Sequence, residues 1–559
     1  MVVIDTTDGW LPGKIVQLAG PSIVQSILSN CYSMNNFIFV SHIKDPELAS
    51  ACTSAISATV GMQIVCFAFH NIIPSGSNAY TAQYRGASNT SGLALTFKSG
   101  IYGSLIMSTI LGILGYVFID RIALLTNSTP LVTSQIATYF GILIMSSPAF
   151  GLLLMIDGFY KSNGDAKTPL ALELTSLLIN TIGSYFFVLK FGWGIAGAAY
   201  ASAISRLLPA LLGGYMILNG RLGIDLSLRL QSMEVVKEVI VMIDKLARLG
   251  IFESMAQFIY GFVFTVLIRL SGELGPAQQA GLGAGMRGLE WLSFTVSEGF
   301  LVAAMTSVGQ NIGANLQKRA MQSAWICILL SSILAGILGV PFLLIPEKIS
   351  GSLSDDQDII KYCSMYIRMM GKIMVFVGFE MASYGVFIGA GRARLVFFIN
   401  ATLNLFRIPI TVYQMYDSNY RLIALAWALG FSDDSKYAQV KALDTGHSGI
   451  AIIGDFNAVC FSIAITSVMK AVVYSVLLSW RQYSELLFKD SNLIDHLSVG
   501  AGKSKEYSAN DMDLKSSITD IKHDLGHTCC NVWNLCGLSK TTSRDTDSGF
   551  MLVPTHSEE

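Results

Sequence analysis

The residues of this chain that could do chemistry are acids set in apolar sequence. Eight carboxylates fall inside long hydrophobic stretches: Asp120, Asp157, Glu173, Glu253, Glu290, Glu298, Glu380 and Asp455. An ionised carboxylate at the centre of a bilayer costs at least about 2.5 kcal/mol, so it persists there only where it faces a cavity or a partner, and in such a place it can hold a proton or a cation. Asp120, Asp157, Glu173, Glu298 and Asp455 lie within about two turns of the end of their apolar stretch and read as solvated. Glu290 follows Arg287 by one helical turn, which favours a structural ion pair over an exchange site. Glu253, in FESMAQF, has no basic residue within a turn, the nearest being Arg248. Glu380, in VGFEMASYG, reads either as a functional acid or as a buried group bonded to Ser383 or Tyr384. No His-Glu-x-x-His or nucleophile motif is present, so no catalytic residue is expected, and without a P-loop ATP is not the expected energy source. The spacing of His523, His527, Cys529, Cys530 and Cys536 loosely resembles a zinc site but lacks a fixed Cys-x-x-Cys pair, and lipidation of Cys529 or Cys530 is an equal alternative. No metal and no cofactor are expected.

The elements that must position these acids follow from composition. Soluble proteins carry about a quarter charged residues, whereas this 559-residue chain carries 13 %, with 52 % hydrophobic residues and a mean hydropathy of +0.53. A membrane-crossing helix needs about 20 apolar residues, and because each span must satisfy its own backbone, only helices or closed barrels are viable. Runs such as 324–345 lack the alternation of a barrel. The chain is therefore expected to be an all-α integral membrane protein with twelve spans, at 14–41, 48–73, 92–120, 130–159, 168–190, 194–219, 249–271, 276–306, 322–345, 361–389, 394–416 and 448–480. Residues 1–13 read as an N-terminal cytoplasmic segment, 14–219 as a six-helix lobe, 220–248 as an amphipathic membrane-surface linker, 249–489 as a second six-helix lobe with a loop inserted at about 417–447, and 490–559 as a disordered polar tail. Pro21 lies inside the first span, removes a backbone donor and predicts a kink. Basic residues near span ends number fifteen on one side against nine on the other, which favours both termini in the cytoplasm. A net charge of −1 makes nucleic acid an unsuitable partner. Six of the nine cysteines are scattered singly through the spans, where cysteine behaves as a small apolar residue. The N-terminus has no basic region of a cleaved signal peptide, and the first span serves as its own signal.

The chain also repeats itself. TAQYRGAS (81–88) resembles VGQNIGAN (308–315), and GDAKTPL (164–170) resembles GRARLVF (391–397), both at an offset of 227 residues. Later, GIAGAAYA (194–201) matches AIIGDFNA (451–458) at an offset of 257, which places about thirty extra residues in the charged 417–447 insertion. Six spans per repeat is an even number, so both halves enter the membrane from one side. They are expected to form two six-helix bundles related by a pseudo-two-fold axis along the membrane normal, with a cavity between them.

At these residues the chain resembles the MATE family, the multidrug and toxic compound extrusion transporters. LAGPSIVQS resembles the family's Leu-Ala-x-Pro start, AQYRGASN its Gln-x-x-Gly-Ala loop, and GDAKTPL its Gly-Asp-x-Lys-x-Pro turn; GIAGAAYASAIS, VGQNIGAN and RIPI follow in order, over about 14–480. The resemblance implies export of organic, often cationic compounds in exchange for protons or sodium ions, from the plasma membrane or a vacuolar-type membrane, by a monomer. It places Glu253 within about a turn of a seventh-span Glu of many members, and Glu380 about a turn off register from a tenth-span acid. Asn36 stands where many members have Asp, and Ser184 falls near an Asp of one bacterial branch, so any ion coupling leans on the second lobe. Asn36 and Asn180 remain candidate ligands, and Pro21 a candidate bending point. Two alternatives stay open. One is a lipid-linked oligosaccharide flippase of a sister branch, for whose anionic substrate a basic cavity would be suited; Arg206, Arg368, Lys372 and Arg407 lie inside spans. The other is a membrane-embedded receptor or enzyme.

Overall fold

The computed structural model describes residues 3–124, 129–222, 228–230, 232–286, 291–353, 356–416, 421–429 and 456–479, and every secondary-structure element among them is a helix. The first half contains α1 (Leu11–Ser41), α2 (Pro46–Ala58), α3 (Val60–His70), α4 (Ile72–Gly86), α5 (Thr90–Val117), α6 (Ile119–Leu124), α7 (Pro130–Met145), α8 (Ser147–Ser162), α9 (Lys167–Ser184), which continues as a π-helical turn (Tyr185–Lys190), and α10 (Gly194–Leu218). The second contains α11 (Met233–Leu274), α12 (Pro276–Ala284), α13 (Trp291–Gly313), α14 (Gln317–Leu344), α15 (Pro346–Ser350), α16 (Gln357–Gly389), α17 (Ala393–Leu405), α18 (Arg407–Met415), α19 (Arg421–Ala428) and α20 (Phe456–Ser479). Within the described residues, each of the twelve expected spans falls on one of these helices or on consecutive ones. Among the described residues, nine helical stretches are long and apolar enough to cross a membrane, and a tenth is formed by α7 and α8, bent by 51° at their junction.

Local sequence sets the helix starts. The Asp45 carboxylate accepts from the amides of Glu47 and Leu48 at the head of α2, Asn89 from Gly92 on α5, Asp165 from Lys167 and Thr168 on α9, and Asp356 from Asp358 and Ile359 on α16. Each satisfies amides that have no partner in the first helical turn. On α14, Leu329, Ile333, Ile337, Val340 and Leu344 form an exposed stripe at helical spacing, the surface that faces lipid. α1 remains one helix through Pro21.

Three boundaries differ from those expected. The Gln-x-x-Gly-Ala motif after the second span is not a loop: α4 carries the chain to Gly86, and only the residues after it turn. Residues 233–248 do not form a separate surface helix but are the first part of the 42-residue α11. The start of the insertion, expected as a loop, contains α19, whose Ala424 and Ala428 are buried where it packs on α18 and α11. The rest of the insertion, and the tail with its His and Cys residues, lie outside the described residues.

The duplication is visible in the backbone. Ser88 and Asn315, 227 positions apart, both have positive φ, 53° and 58°, and no other non-glycine among the described residues does. Gly164 (92°) and Gly391 (73°) form a second such pair. Each ends its helix with the same pair of backbone bonds: Gly164 N to Lys161 O and Asp165 N to Tyr160 O, against Gly391 N to Ile388 O and Arg392 N to Phe387 O. A left-handed residue after the last turn is what such helix ends require.

The lead helix of each half packs into the other half. The start of α1 (Leu11, Ile15, Leu18, Ala19) joins a core with α13, α14, α16 and α20, while Val40 near its end belongs to a core with α2, α7 and α10. In the mirrored arrangement, α11 lies on α4 so closely that a β-carbon on Gly250 would be 1.8 Å from the Ile72 carbonyl oxygen, and one on Gly76 2.0 Å from that of Leu246.

Candidate functional site

The two halves also meet backbone to backbone where their duplicated motifs face each other. A β-carbon on Gly86 would lie 1.8 Å from the Gln310 carbonyl oxygen, and one on Gly313 1.9 Å from that of Gln83. Only glycine permits that backbone approach. The N-terminal segment fastens the same end. Ile4 N donates to Gly164 O at 3.0 Å, and Thr6 donates through its amide (3.0 Å) and hydroxyl (2.8 Å) to Gln310 Oε1. Arg319 donates to the carbonyls of Thr6 (2.8 Å), Gly9 (2.8 Å) and Asp8. Lys14 binds the Asp8 carboxylate and holds it below the usual carboxylate range. Residues 4–9 thus tie the Gly164 turn of the first half to α13 and α14 of the second.

Away from this strapped end, the close α4–α11 contact brings Ser75 to Glu253, whose carboxylate accepts from the Ser75 hydroxyl. Glu253 is not near a helix end, as its apolar stretch suggested, because α11 extends twenty residues before it. Glu380 is bonded neither to Ser383, whose hydroxyl has no hydrogen-bond partner, nor to Tyr384. It accepts from Lys470 on α20 at 2.7 Å, with side-chain exposures of 12 % and 2 %. Nearby, Tyr474 accepts from Asn400 Nδ2 at 2.9 Å. Lys470 is the residue that the sequence reading missed: a lone base in the last span, ninety positions from its partner.

Asn36 and Asn180 do come together. Both donate to the Ser202 hydroxyl, at 2.7 and 3.2 Å, and Asn35 Nδ2 donates to Asn180 Oδ1 at 2.6 Å. Asn36 also reaches Tyr139 (3.3 Å). With Ser184 buried nearby on α9, this pocket is built of neutral amides and hydroxyls.

Of the acids expected to be solvated at span ends, Asp157 and Glu173 are partly buried inside the protein instead. Asp157 on α8 accepts from Gln25 Nε2 of α1 at 2.6 Å and from Lys161 at 2.7 Å. Glu173 on α9 lies beside Ser29 and within electrostatic reach of Asp157, Lys161 and Arg206. Glu298 on α13 lies beside Ser26 and within reach of Lys161 and Asp157. The Glu298 side chain is accessible although α13 is packed against α1, α4, α8, α14 and α16, so it opens on a cleft between the halves and not on lipid. Asp120 is exposed, as expected. Glu290 and Asp455 lie outside the described residues. Among the described residues no group of His, Cys, Asp or Glu side chains is gathered closely enough to hold a metal ion.

The MatE family model matches the chain twice, over residues 21–186 and 251–413, once in each half. The chain belongs to the MATE family of transporters. Its twelve-helix, two-bundle architecture is the one characteristic of MATE proteins, which are multi-pass membrane transporters and not enzymes. Among relatives, the multidrug export protein MepA of Staphylococcus aureus (strain MSSA476) is 20 % identical over 375 residues, covering 67 % of this chain and 80 % of MepA. The multidrug and toxin extrusion protein 1 of Homo sapiens is 24 % identical over 449 residues, covering 80 % of this chain and 73 % of that protein. Among solved structures, an outward-facing multidrug resistance MATE transporter of the MOP superfamily superposes with a TM-score of 0.68 at 18 % identity, over 88 % of this chain and 99 % of its own. The eukaryotic MATE transporter AtDTX14 also gives 0.68 at 18 % identity, over 86 % and 98 %.

Proposed function

We propose that this MATE protein is a secondary active exporter that exchanges organic, often cationic, drug-like compounds for protons or sodium ions by alternating access. The observation that carries the reading is the gathering of three acids, Asp157, Glu173 and Glu298, around two bases, Lys161 and Arg206, where the two repeat-related halves meet, with reciprocal glycine contacts holding one end together. That charge balance suits a cation and disfavours the anionic pyrophosphate of a lipid-linked sugar. The names of the relatives, multidrug export and toxin extrusion, support the direction of transport.

In this reading both termini are cytoplasmic, so the strapped end is the cytoplasmic one and the cleft opens outward. The protein works as a monomer in the plasma membrane or a vacuolar-type membrane, without a cofactor. Glu253 is the exchange group. With the cleft facing the cytoplasm, a cationic substrate favours the ionised carboxylate and its proton leaves; with the cleft facing outward, a proton rebinds and weakens the hold on substrate. Pro21 lies in the lead helix that packs across both halves, where a bend would accompany the switch. Counterflow of a fluorescent organic cation in proteoliposomes, with proton and sodium gradients imposed separately, tests the reading. Cation uptake driven by one of the gradients is expected; transport of a lipid-linked oligosaccharide with no cation movement would replace it with the flippase.

A further inference from the structure

The carboxylates of the cleft are arranged around bases of the protein's own. Asp157 shares its two oxygens between Lys161 and Gln25, at 2.7 and 2.6 Å. Glu173 and Glu298 approach the same pair from α9 and α13, each within reach of Lys161. The other base in reach of this group is Arg206, which lies over the rings of Phe150 (4.4 Å) and Tyr32 (5.7 Å) beside Glu173. With all three acids ionised, the form that a bound cation favours, the two bases leave the group one negative charge. A second, independent observation points to an occupant: Gln25 is 8 % exposed and its Oε1 has no hydrogen-bond partner, although its Nε2 is bound to Asp157. A buried amide oxygen left without a donor is costly unless something positive or hydrogen-bearing completes it. A bare metal ion does not fit, because the acids are spread too widely to close on one centre. A larger organic ammonium, with its charge spread over several ångströms, suits such spacing.

We propose that Asp157, Glu173 and Glu298 with Gln25 form the binding site for a single organic ammonium group in the cleft, and that Lys161 sets its valence, selecting monocations over dications. This deepens the organic-cation reading and rests on it. Lys161 is a tethered positive charge occupying part of an acidic site; as long as it is present, one further positive charge neutralises the group and a second is repelled. Because Glu298 belongs to the second half while Asp157, Glu173 and Lys161 belong to the first, the site is complete only while α13 lies against α1 and α8. Parting of the halves would take Glu298 away and loosen the ligand.

Equilibrium binding to the purified full-length protein tests this, with ethidium as the monocation, methyl viologen as the dication and a neutral aromatic amide as control. Glu298→Gln is expected to weaken ethidium by at least about tenfold and to leave the neutral compound unchanged. Lys161→Met is expected to reverse the order, methyl viologen binding more tightly than ethidium. Asp157→Asn combined with Lys161→Met returns the group to one negative charge and is expected to restore the preference for ethidium, which guards against misfolding of the single variant. Wild-type protein that binds ethidium while all three variants keep its affinity and order would overturn this site and leave the organic-cation reading intact. Wild-type protein that binds neither cation would overturn that reading and this site with it.

Discussion

The Lys470 ammonium lies 2.7 Å from the Glu380 carboxylate in the interior of the second half, with only 2 % of the lysine side chain exposed. Removing one member of such a pair leaves the other charged and buried, a change that costs about 3–5 kcal/mol, whereas replacing both is far better tolerated. Glu380→Gln and Lys470→Met alone are therefore expected to lower the melting temperature of the detergent-solubilised protein markedly, and the double variant to recover most of the loss. Equal melting temperatures for the wild type and both single variants would show the pair to be dispensable. Glu380 thus serves poorly as a freely exchanging proton carrier, and this account assigns that role to Glu253.

Glu253 accepts its hydrogen bond from Ser75 across the contact between the halves. The amide oxygen of Gln can take the same bond but cannot change charge, so Glu253→Gln is expected to insert and fold normally while gradient-driven transport is lost. Wild-type transport with unchanged pH dependence in Glu253→Gln would make the residue structural.

Gly86 and Gly313 each leave no room for a β-carbon against the backbone of the other half. Gly86→Ala or Gly313→Ala is expected to wedge the strapped end apart. A cysteine placed at Gln83 should then react with a membrane-impermeant maleimide from that side several times faster than in the parent, and an unchanged rate would mean that the closure does not depend on this contact.

Deleting residues 3–9 removes the bonds from Ile4, Thr6 and the carbonyls held by Arg319, and is expected to increase the same labelling. The pH behaviour of the strap has a definite sign. Lys14 depresses the Asp8 value in the folded protein, so the pair contributes fully above the unfolded value of about 3.9 and is lost only as pH falls through the lower, folded one. Divided by the rate for the same cysteine in the unfolded protein, so that the thiolate fraction cancels, labelling of the intact protein should stay flat from about pH 5 to 8; a rise of that ratio within the window would place a titrating group in the strap.

Much of the fold was legible because its causes are local. A run of apolar residues long enough to cross a bilayer declares a span, and the Gly164 and Gly391 turns declare a duplication because their backbone geometry restricts the residues they accept. The polar interior was less legible because its causes are not local. Asp157 and Glu173 looked solvated by their distance from span ends, yet both are partly buried among helices distant in sequence. Glu253 looked terminal because the charged residues before it read as surface linker; α11 carries them as helix and packs that stretch on α4. Lys470 has no acid within a turn to announce it, and its partner comes from a helix ninety residues earlier. Asn36 and Asn180, chosen from separate spans, do share Ser202, but in a neutral pocket.

The most direct test of the account follows internal pH, internal sodium and a fluorescent organic monocation together in one proteoliposome preparation without ATP. Exchange predicts that outward movement of the cation is matched by inward movement of protons or of sodium, that collapsing that ion's gradient stops it, and that Glu253→Gln uncouples the two. Cation transport that proceeds with both ion gradients collapsed, or that needs ATP, would contradict it.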